Sequence, residues 1–112
     1  MRKFVYRAPR FPVDLLVQLT CETATVVARC REISKNGMVL EALKNPLPKC
    51  NGMVALSHQG MTIELEARVA RSGPKWCGLE FIYKSEIERK ELAHFVASVT
   101  ETQNRPGPQL IV

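Results

Sequence analysis

Apolar and polar residues alternate through most of the first 82 positions, and an alternation of period two is typical of β-strands with one buried face. The clearest run is MTIELEARVAR at positions 61–71. Its inward-facing residues are predicted to be Met61, Ile63, Leu65, Ala67 and Val69, and its outward-facing residues Thr62, Glu64, Glu66 and Arg68. Five further runs read PVDLLVQLTC, TVVARCREI, MVLEAL, GMVALSH and KWCGLEFI. The pattern predicts six strands.

The first two runs each predict one buried face. In the first run the buried residues are expected to be Val13, Leu15, Val17, Leu19 and Cys21. In the second run they are expected to be Val26, Ala28 and Cys30. The opposite face of the second run is expected to carry Arg29 and Arg31, flanked by Val27 and Ile33.

Short segments rich in turn-forming residues separate the runs, at positions 22–24, 34–37, 45–48, 58–60 and 72–74. The prolines at positions 46 and 48 break the third run, because proline cannot donate to a strand ladder. Short strands that recur about every ten residues favour a small antiparallel barrel.

The periodicity becomes helical after Ser85. Ser85 and Glu88 form an S-x-x-E capping box, in which the hydroxyl and the carboxylate each satisfy a backbone amide of the first turn. An apolar stripe follows, consisting of Ile87, Leu92, Phe95, Val96 and Val99. We expect the stripe to pack on an opening or an edge of the barrel, and the helix to end before Arg105. The predicted fold is mainly β, a six-stranded antiparallel β-barrel with a C-terminal α-helix.

The composition places the chain among globular domains. Its 112 residues suffice for one core, and its hydrophobic fraction of 46% and charged fraction of 24% are ordinary. No apolar run approaches the length of about 20 residues that is needed to span a bilayer. The basic start is not followed by the apolar core of a signal peptide, so a cytoplasmic protein is the simplest expectation.

The net charge of +5 is concentrated at the N-terminus, where Arg2, Lys3, Arg7 and Arg10 precede the first acidic residue, Asp14. Such an arm is suited to binding a phosphate, a nucleic acid or an acidic partner surface, and it can equally be a solvated terminus. We expect a basic arm at 1–12, a barrel plus helix at 13–100 and a flexible tail at 101–112.

Signals for an enzyme or a metal site are absent from the sequence. It contains no phosphate-binding loop, no nucleophile elbow and no dinucleotide fingerprint, so the protein is not expected to be an enzyme. The four cysteines lack the close spacing of zinc ligands and are interpreted as reduced, mostly buried thiols. Trp76, near a strand start, is either a packing residue at the barrel end or a platform for stacking a base.

Three stretches of this sequence, in this order, resemble a PilZ domain: YRAPRFPVDLLVQL, EISKNGMVLE and KWCGLEFI. The shared features are arginines before a Pro-Val strand, an acidic-x-Ser-x-x-Gly turn two strands later, and a closing G-x-x-F strand with a terminal helix. The resemblance covers residues 7 to about 100. It implies a PilZ-like split barrel and a bacterial receptor for cyclic di-GMP.

The resemblance also implies a binding signature, R-x-x-x-R before the first strand and Asp/Asn-x-Ser-x-x-Gly between strands two and three. Arg10 matches the second arginine, whereas Tyr6 takes the place of the first. Ser34 and Gly37 match the second motif, in which Glu32 replaces Asp or Asn. The residues expected to bind cyclic di-GMP are therefore Tyr6, Arg7, Arg10, Glu32, Ser34 and Gly37, assisted by Arg2 and Lys3.

The residue types suit that ligand, which carries two phosphates and two guanines. An arginine can bind a phosphate with two parallel donors or stack on a guanine. Glu32 can accept from a guanine edge, and Ser34 offers a small hydroxyl. Gly37 is expected either to adopt a positive φ or to leave room for the ligand. The expected partners are cyclic di-GMP and a protein of the motility, pilus or exopolysaccharide machinery, with no cofactor.

Two other functions stay open at this stage. Because Tyr6 and Glu32 depart from the signature, the chain could be an adaptor that binds no nucleotide and acts through protein contacts. The isoelectric point of 9.3 suggests a nucleic-acid binder, although aromatic residues available for base stacking make up only 6% of the chain. Asn36-Gly37 can also be an ordinary hairpin turn without any ligand.

Overall fold

Six strands and one helix make up the computed structural model, which describes residues 9–22, 24–41 and 49–103. The elements are β1 (Phe11–Cys21), β2 (Ala24–Ile33), β3 (Gly37–Glu41), β4 (Asn51–His58), β5 (Met61–Ser72), β6 (Trp76–Ile82) and α1 (Glu86–Gln103). The predicted mainly-β fold with six antiparallel strands and a C-terminal helix is confirmed. The predicted arm up to residue 8 and the predicted tail from residue 104 lie outside the described residues.

The strands form a closed barrel in the order β1-β2-β3-β6-β5-β4. All neighbours are antiparallel, and β4 closes the barrel by pairing with β1. Because β3 pairs with β6, the turn between β2 and β3 lies beside the last two strands. This neighbour relation brings distant parts of the sequence onto one outer face.

The predicted inward faces form most of the core. In β1 the alternation holds along its length, since Val13, Leu15, Val17 and Leu19 are all buried. The same holds in β5 for Leu65, Ala67 and Val69, while Met61 and Ile63 are half-buried against the core.

The predicted orientation of Ile33 in β2 is wrong. Ile33 was expected beside Arg29 and Arg31, but it is only 1% exposed. The register against β3 shifts between Cys30 and Glu32, which is a β-bulge. A bulge adds one residue to one strand and so reverses the alternation beyond it. Ile33 therefore packs in the core opposite Met38.

The helix α1 packs against β1 and β5 through Leu92, Phe95, Val96 and Val99, which are buried as predicted. The ring of Phe95 lies edge-on to His58 at the end of β4, with 6.4 Å between ring centroids. Ile87 does not join this face, and its exposed fraction is 67%. At helical spacing it shares a face with exposed Glu91 and His94, so the prediction for Ile87 is wrong.

Side chains hold both ends of α1. The Glu88 amide donates to the Ser85 hydroxyl at 3.3 Å, and the Glu88 carboxylate accepts from the Lys84 amide at 2.8 Å. At the other end, Gln103 accepts from the Asp14 amide at 2.8 Å and donates to the Asp14 carbonyl at 3.0 Å. The last helical residue is thus bonded to the backbone near the start of β1. Within the ranges described, no helix is long and apolar enough to cross a membrane.

Candidate ligand-binding cleft

The turn between β2 and β3 is fixed by its own hydrogen bonds and by β6. The Ser34 amide donates to the Gly37 carbonyl at 2.8 Å, and the Asn36 amide donates to the Ser34 hydroxyl at 3.1 Å. The Phe81 amide in β6 donates to the Asn36 carbonyl at 2.8 Å. The Ser34 hydroxyl oxygen accepts the bond from the Asn36 amide and still carries its own proton, which it can donate to a ligand.

Tyr83 supports the same turn from the segment before α1. Its hydroxyl donates to the Lys35 carbonyl oxygen. The Arg89 guanidinium lies 4.4 Å from the centroid of the Tyr83 ring, which is a cation–π arrangement. Burial raises the pKa of Tyr83 to about 12, so the hydroxyl keeps the proton that it donates.

Gly37 is required for close packing of β3 on β6. Its φ is not in the left-handed region, so that part of the prediction is wrong. A Cβ at this position would collide with the backbone carbonyl of Leu79. A side chain there would force β3 and β6 apart at the edge of the cleft.

Arg10 lies at the turn, as its place in the sequence predicts. It directly precedes β1, whose first residues pair with the end of β2 through Phe11 opposite Ile33 and Pro12 opposite Glu32. The Arg10 guanidinium donates to the Glu32 carboxylate at 3.1 Å. The two side chains are 49% and 39% exposed, so this ion pair lies in solvent.

An open cleft of about 270 Å³ joins these residues on the outer face of β3, β6 and β5. Four of the predicted site residues line it, namely Arg10, Glu32, Ser34 and Gly37. Its floor includes Val39 and Gly78, which pair across β3 and β6. A Cβ added to Gly78 would meet no atom within 4 Å, so this missing side chain leaves the floor open.

Arg71 and Glu80 also line the cleft, although the sequence did not indicate them as site residues. Glu80 forms an ion pair with Arg68 on the neighbouring strand. Arg71 follows a register shift between Val69 and Arg71 in β5. Continued alternation would have placed Arg71 in the core, and a charged residue at such a position was the signal for a bulge.

The remaining predicted site residues, Arg2, Lys3, Tyr6 and Arg7, lie outside the described residues, and their roles stay predictions. Trp76 is exposed on the same outer face and covers Gly73 in the turn between β5 and β6, where an added Cβ would collide with the indole.

The cysteines lie away from this cleft's lining. Cys30 and Cys77 are buried, whereas Cys21 and Cys50 are half-buried. Burial raises the pKa of Cys30 to about 12 and that of Cys77 to about 11, so both thiols stay protonated at neutral pH. In the part of the chain that the structure describes, no three metal-ligating side chains converge.

The PilZ domain family matches residues 5–98, which is most of the chain. The chain therefore belongs to the PilZ domain family. Among curated proteins, no significant sequence match was found.

Solved structures share the fold at low sequence identity. The PilZ domain of CeSA from a cellulose synthesizing bacterium has a TM-score of 0.73 and 14% identity, over 81% of this chain and 97% of that one. Bacillus subtilis MotI, an inhibitor of motility, has a TM-score of 0.67 and 18% identity, over 94% of this chain and 56% of that one. The K. pneumonia MrkH-c-di-GMP complex has a TM-score of 0.62 and 13% identity, over 92% of this chain and 56% of that one. This chain thus spans about half of the MotI and MrkH chains, and the likeness shows the fold.

Proposed function

We propose that this protein is a cytoplasmic receptor module for cyclic di-GMP, with a regulatory and not a catalytic role. The observation that carries the proposal is the cleft that brings Arg10 together with Glu32 and the Ser34–Gly37 turn. Membership of the PilZ family supports the ligand class. One neighbour in fold, MrkH, was solved as a complex with this dinucleotide, which is consistent with the proposal.

Ligand binding at Arg10 exchanges one ion pair for another. In the structure the Arg10 guanidinium is bonded to Glu32, and both side chains are partly exposed to solvent. An exposed pair of this kind contributes about 0–1 kcal/mol. A phosphate can accept two parallel bonds from one guanidinium, whereas Glu32 accepts one bond from Arg10 here, so a bound phosphate offers Arg10 the more complete contact. The exchange therefore favours the bound state.

The freed Glu32 carboxylate then faces the cleft as an acceptor. A guanine edge presents two adjacent N–H donors, which match the two oxygens of a carboxylate. Ser34 adds its hydroxyl proton on the same side. In this proposal Tyr6 and Arg7 close over the ligand from the arm, with Arg2 and Lys3 assisting. Ordering the arm costs conformational entropy, which the charge-assisted contacts offset.

The receptor acts on a protein partner in motility, pilus or exopolysaccharide machinery. The fold neighbours include a PilZ domain of CeSA from a cellulose synthesizing bacterium and an inhibitor of motility, which supports the exopolysaccharide and motility classes.

Isothermal titration calorimetry with cyclic di-GMP tests the proposal. We expect saturable binding by the unaltered protein and a loss of at least about tenfold in affinity for Arg10→Ala, since one charge-assisted contact is removed. The melting temperature without ligand should change little, because the lost ion pair is exposed. Lys90→Ala, an exposed charge on α1, is the matched control. The proposal is rejected if high micromolar ligand produces no heat and no NMR shifts.

A second function is favoured by one specific observation, the mutual neutralisation of Arg10 and Glu32. If that pair persists in the presence of nucleotide, Arg10 is not available to a phosphate and the domain acts as an adaptor without nucleotide. An adaptor should recover its partner protein equally well from cells that make the messenger and from cells that lack it. A receptor should recover it to a different extent in the two.

A further inference from the structure

We infer that Arg71 binds a phosphate of the ligand from the side of the cleft opposite the N-terminal arm. This inference rests on the proposed function and adds to it a binding residue on β5. Neither the R-x-x-x-R segment nor the Ser34–Gly37 turn contains this residue.

The strand register places Arg71 in the same transverse row as the predicted site. Glu32 in β2 pairs with Val39 in β3, Val39 pairs with Gly78 in β6, and Gly78 pairs with Arg71 in β5. Three interstrand spacings of about 4.8 Å put the ends of this row roughly 14 Å apart. The row therefore has Glu32 at one end, Arg71 at the other, and a floor of small and half-buried residues between them.

The bulge in β5 directs the Arg71 side chain to this face. Val69 pairs with Leu79 and both are buried, whereas Arg71 pairs with Gly78 and is exposed. The shift between the two pairs inserts Ala70, so that Arg71 points outward where strict alternation would point it inward. Gly78 opposite has no side chain to cover it, and the guanidinium can reach over the open floor.

Arg71 is the cation of the cleft that has no partner among the described residues. Arg10 is bonded to Glu32, and Glu80 is bonded to Arg68. Within the described ranges, the Arg71 side chain makes no hydrogen bond or ion pair. A dianionic ligand needs two cations, and this arrangement supplies one from each side: Arg10 from the arm, after it leaves Glu32, and Arg71 without any exchange.

Calorimetry with cyclic di-GMP on Arg71 variants tests the inference. We expect Arg71→Ala to weaken binding about 10- to 100-fold, which corresponds to one charge-assisted contact. Arg71→Lys should recover part of that loss, because it keeps the charge and loses the paired donors. The affinity of Arg71→Ala should also fall less steeply with added salt than that of the unaltered protein. Lys90→Ala serves as the control for a lost surface charge.

The outcomes separate this inference from the proposed function. One outcome is that the unaltered protein binds and that Arg71→Ala binds with the same affinity and the same salt dependence. This result would overturn the role of Arg71 but would not contradict the receptor proposal. Absence of binding by the unaltered protein would overturn both. Melting curves without ligand should be the same for the unaltered protein and for both Arg71 variants, since the Arg71 side chain is exposed.

Discussion

Two glycines on the outer face of the barrel have opposite reasons to lack a side chain. At Gly37 a Cβ would collide with the Leu79 carbonyl, so the glycine is required by the pairing of β3 with β6. At Gly78 a Cβ would meet no atom within 4 Å, so the fold does not require a glycine there. What Gly78 provides is the open floor of the cleft.

The two positions should respond differently to alanine. Gly37→Ala is expected to lower the free energy of unfolding by about 1–3 kcal/mol, because the backbone of β6 must move. Gly78→Ala should leave stability unchanged or raise it by up to about 1 kcal/mol, since glycine weakens a strand. Urea unfolding of both variants measures this. Equal losses in the free energy of unfolding at the two positions would contradict the different roles of Gly37 and Gly78.

At the scale of elements, α1 is bonded to a part of β1 that lacks a regular ladder. The register of β1 against β2 shifts between Pro12 and Leu15, so the Asp14 amide and carbonyl need other partners. The Gln103 side chain supplies both, at 2.8 Å and 3.0 Å. The end of the helix is thereby joined to the strand that Arg10 precedes.

Removing this connection should loosen the start of β1. We expect Gln103→Ala to lower the free energy of unfolding by about 1 kcal/mol, because two exposed hydrogen bonds are lost. The Asp14 amide should then exchange its hydrogen faster, as measured by NMR. Thr102→Ala is a suitable control, since the Thr102 hydroxyl donates only within the helix, to the Ser98 carbonyl at 2.9 Å. If the Asp14 amide exchanges its hydrogen at the same rate in both variants, the Gln103 side chain does not hold the start of β1.

The elements themselves could be predicted from local patterns, whereas their irregularities could not. Alternation and turn residues predicted all six strands and the helix, since a buried face requires a regular period. The bulge between Cys30 and Glu32 depends on the neighbouring strand, so the burial of Ile33 followed only from the fold. The bulge between Val69 and Arg71 had one local signal, a charged residue where the alternation requires an apolar one, but the place of Arg71 in the cleft follows from the pairing of β5 with β6. Ile87 is apolar and near the stripe, but its angular position on the helix places it in solvent.

The same limit applies to the site. The resemblance to the PilZ signature implied Arg10, Glu32, Ser34 and Gly37 as site residues, and the structure brings these four to one cleft. Arg71 and Gly78 belong to no motif near them in sequence. They enter the cleft because β3 pairs with β6, and that pairing is a property of the closed barrel and not of any local pattern.

At the scale of the whole molecule, buried thiols predict a loss of stability in alkali. Burial raises the pKa of Cys30 from 9.0 to about 12 and that of Cys77 from 9.0 to about 11. The unfolded chain therefore releases these protons at lower pH than the folded barrel does. Their stabilising contribution is complete below about pH 9 and is lost as the pH rises through the folded-state values.

Urea unfolding at about pH 7, 8 and 10.5 measures this effect, because the first two values lie below the ordinary thiol pKa of 9.0 and the third lies above it. We expect similar midpoints at the first two values and a lower midpoint at the third. Cys30→Ala in the same series should show a smaller decrease between the last two. A midpoint that rises with pH would show that the thiols ionise more readily in the folded state.

The neighbour relation of β3 and β6 also sets when the cleft can exist during protein synthesis. On the ribosome, the arm, β1, β2 and the Ser34–Gly37 turn emerge first, but the floor at Gly78 and the cation at Arg71 are still to be translated. A nascent chain that ends before Ile82 has no complete pocket. A ligand of this cleft can therefore bind only after β6 has left the exit tunnel, when all the earlier strands have already been translated.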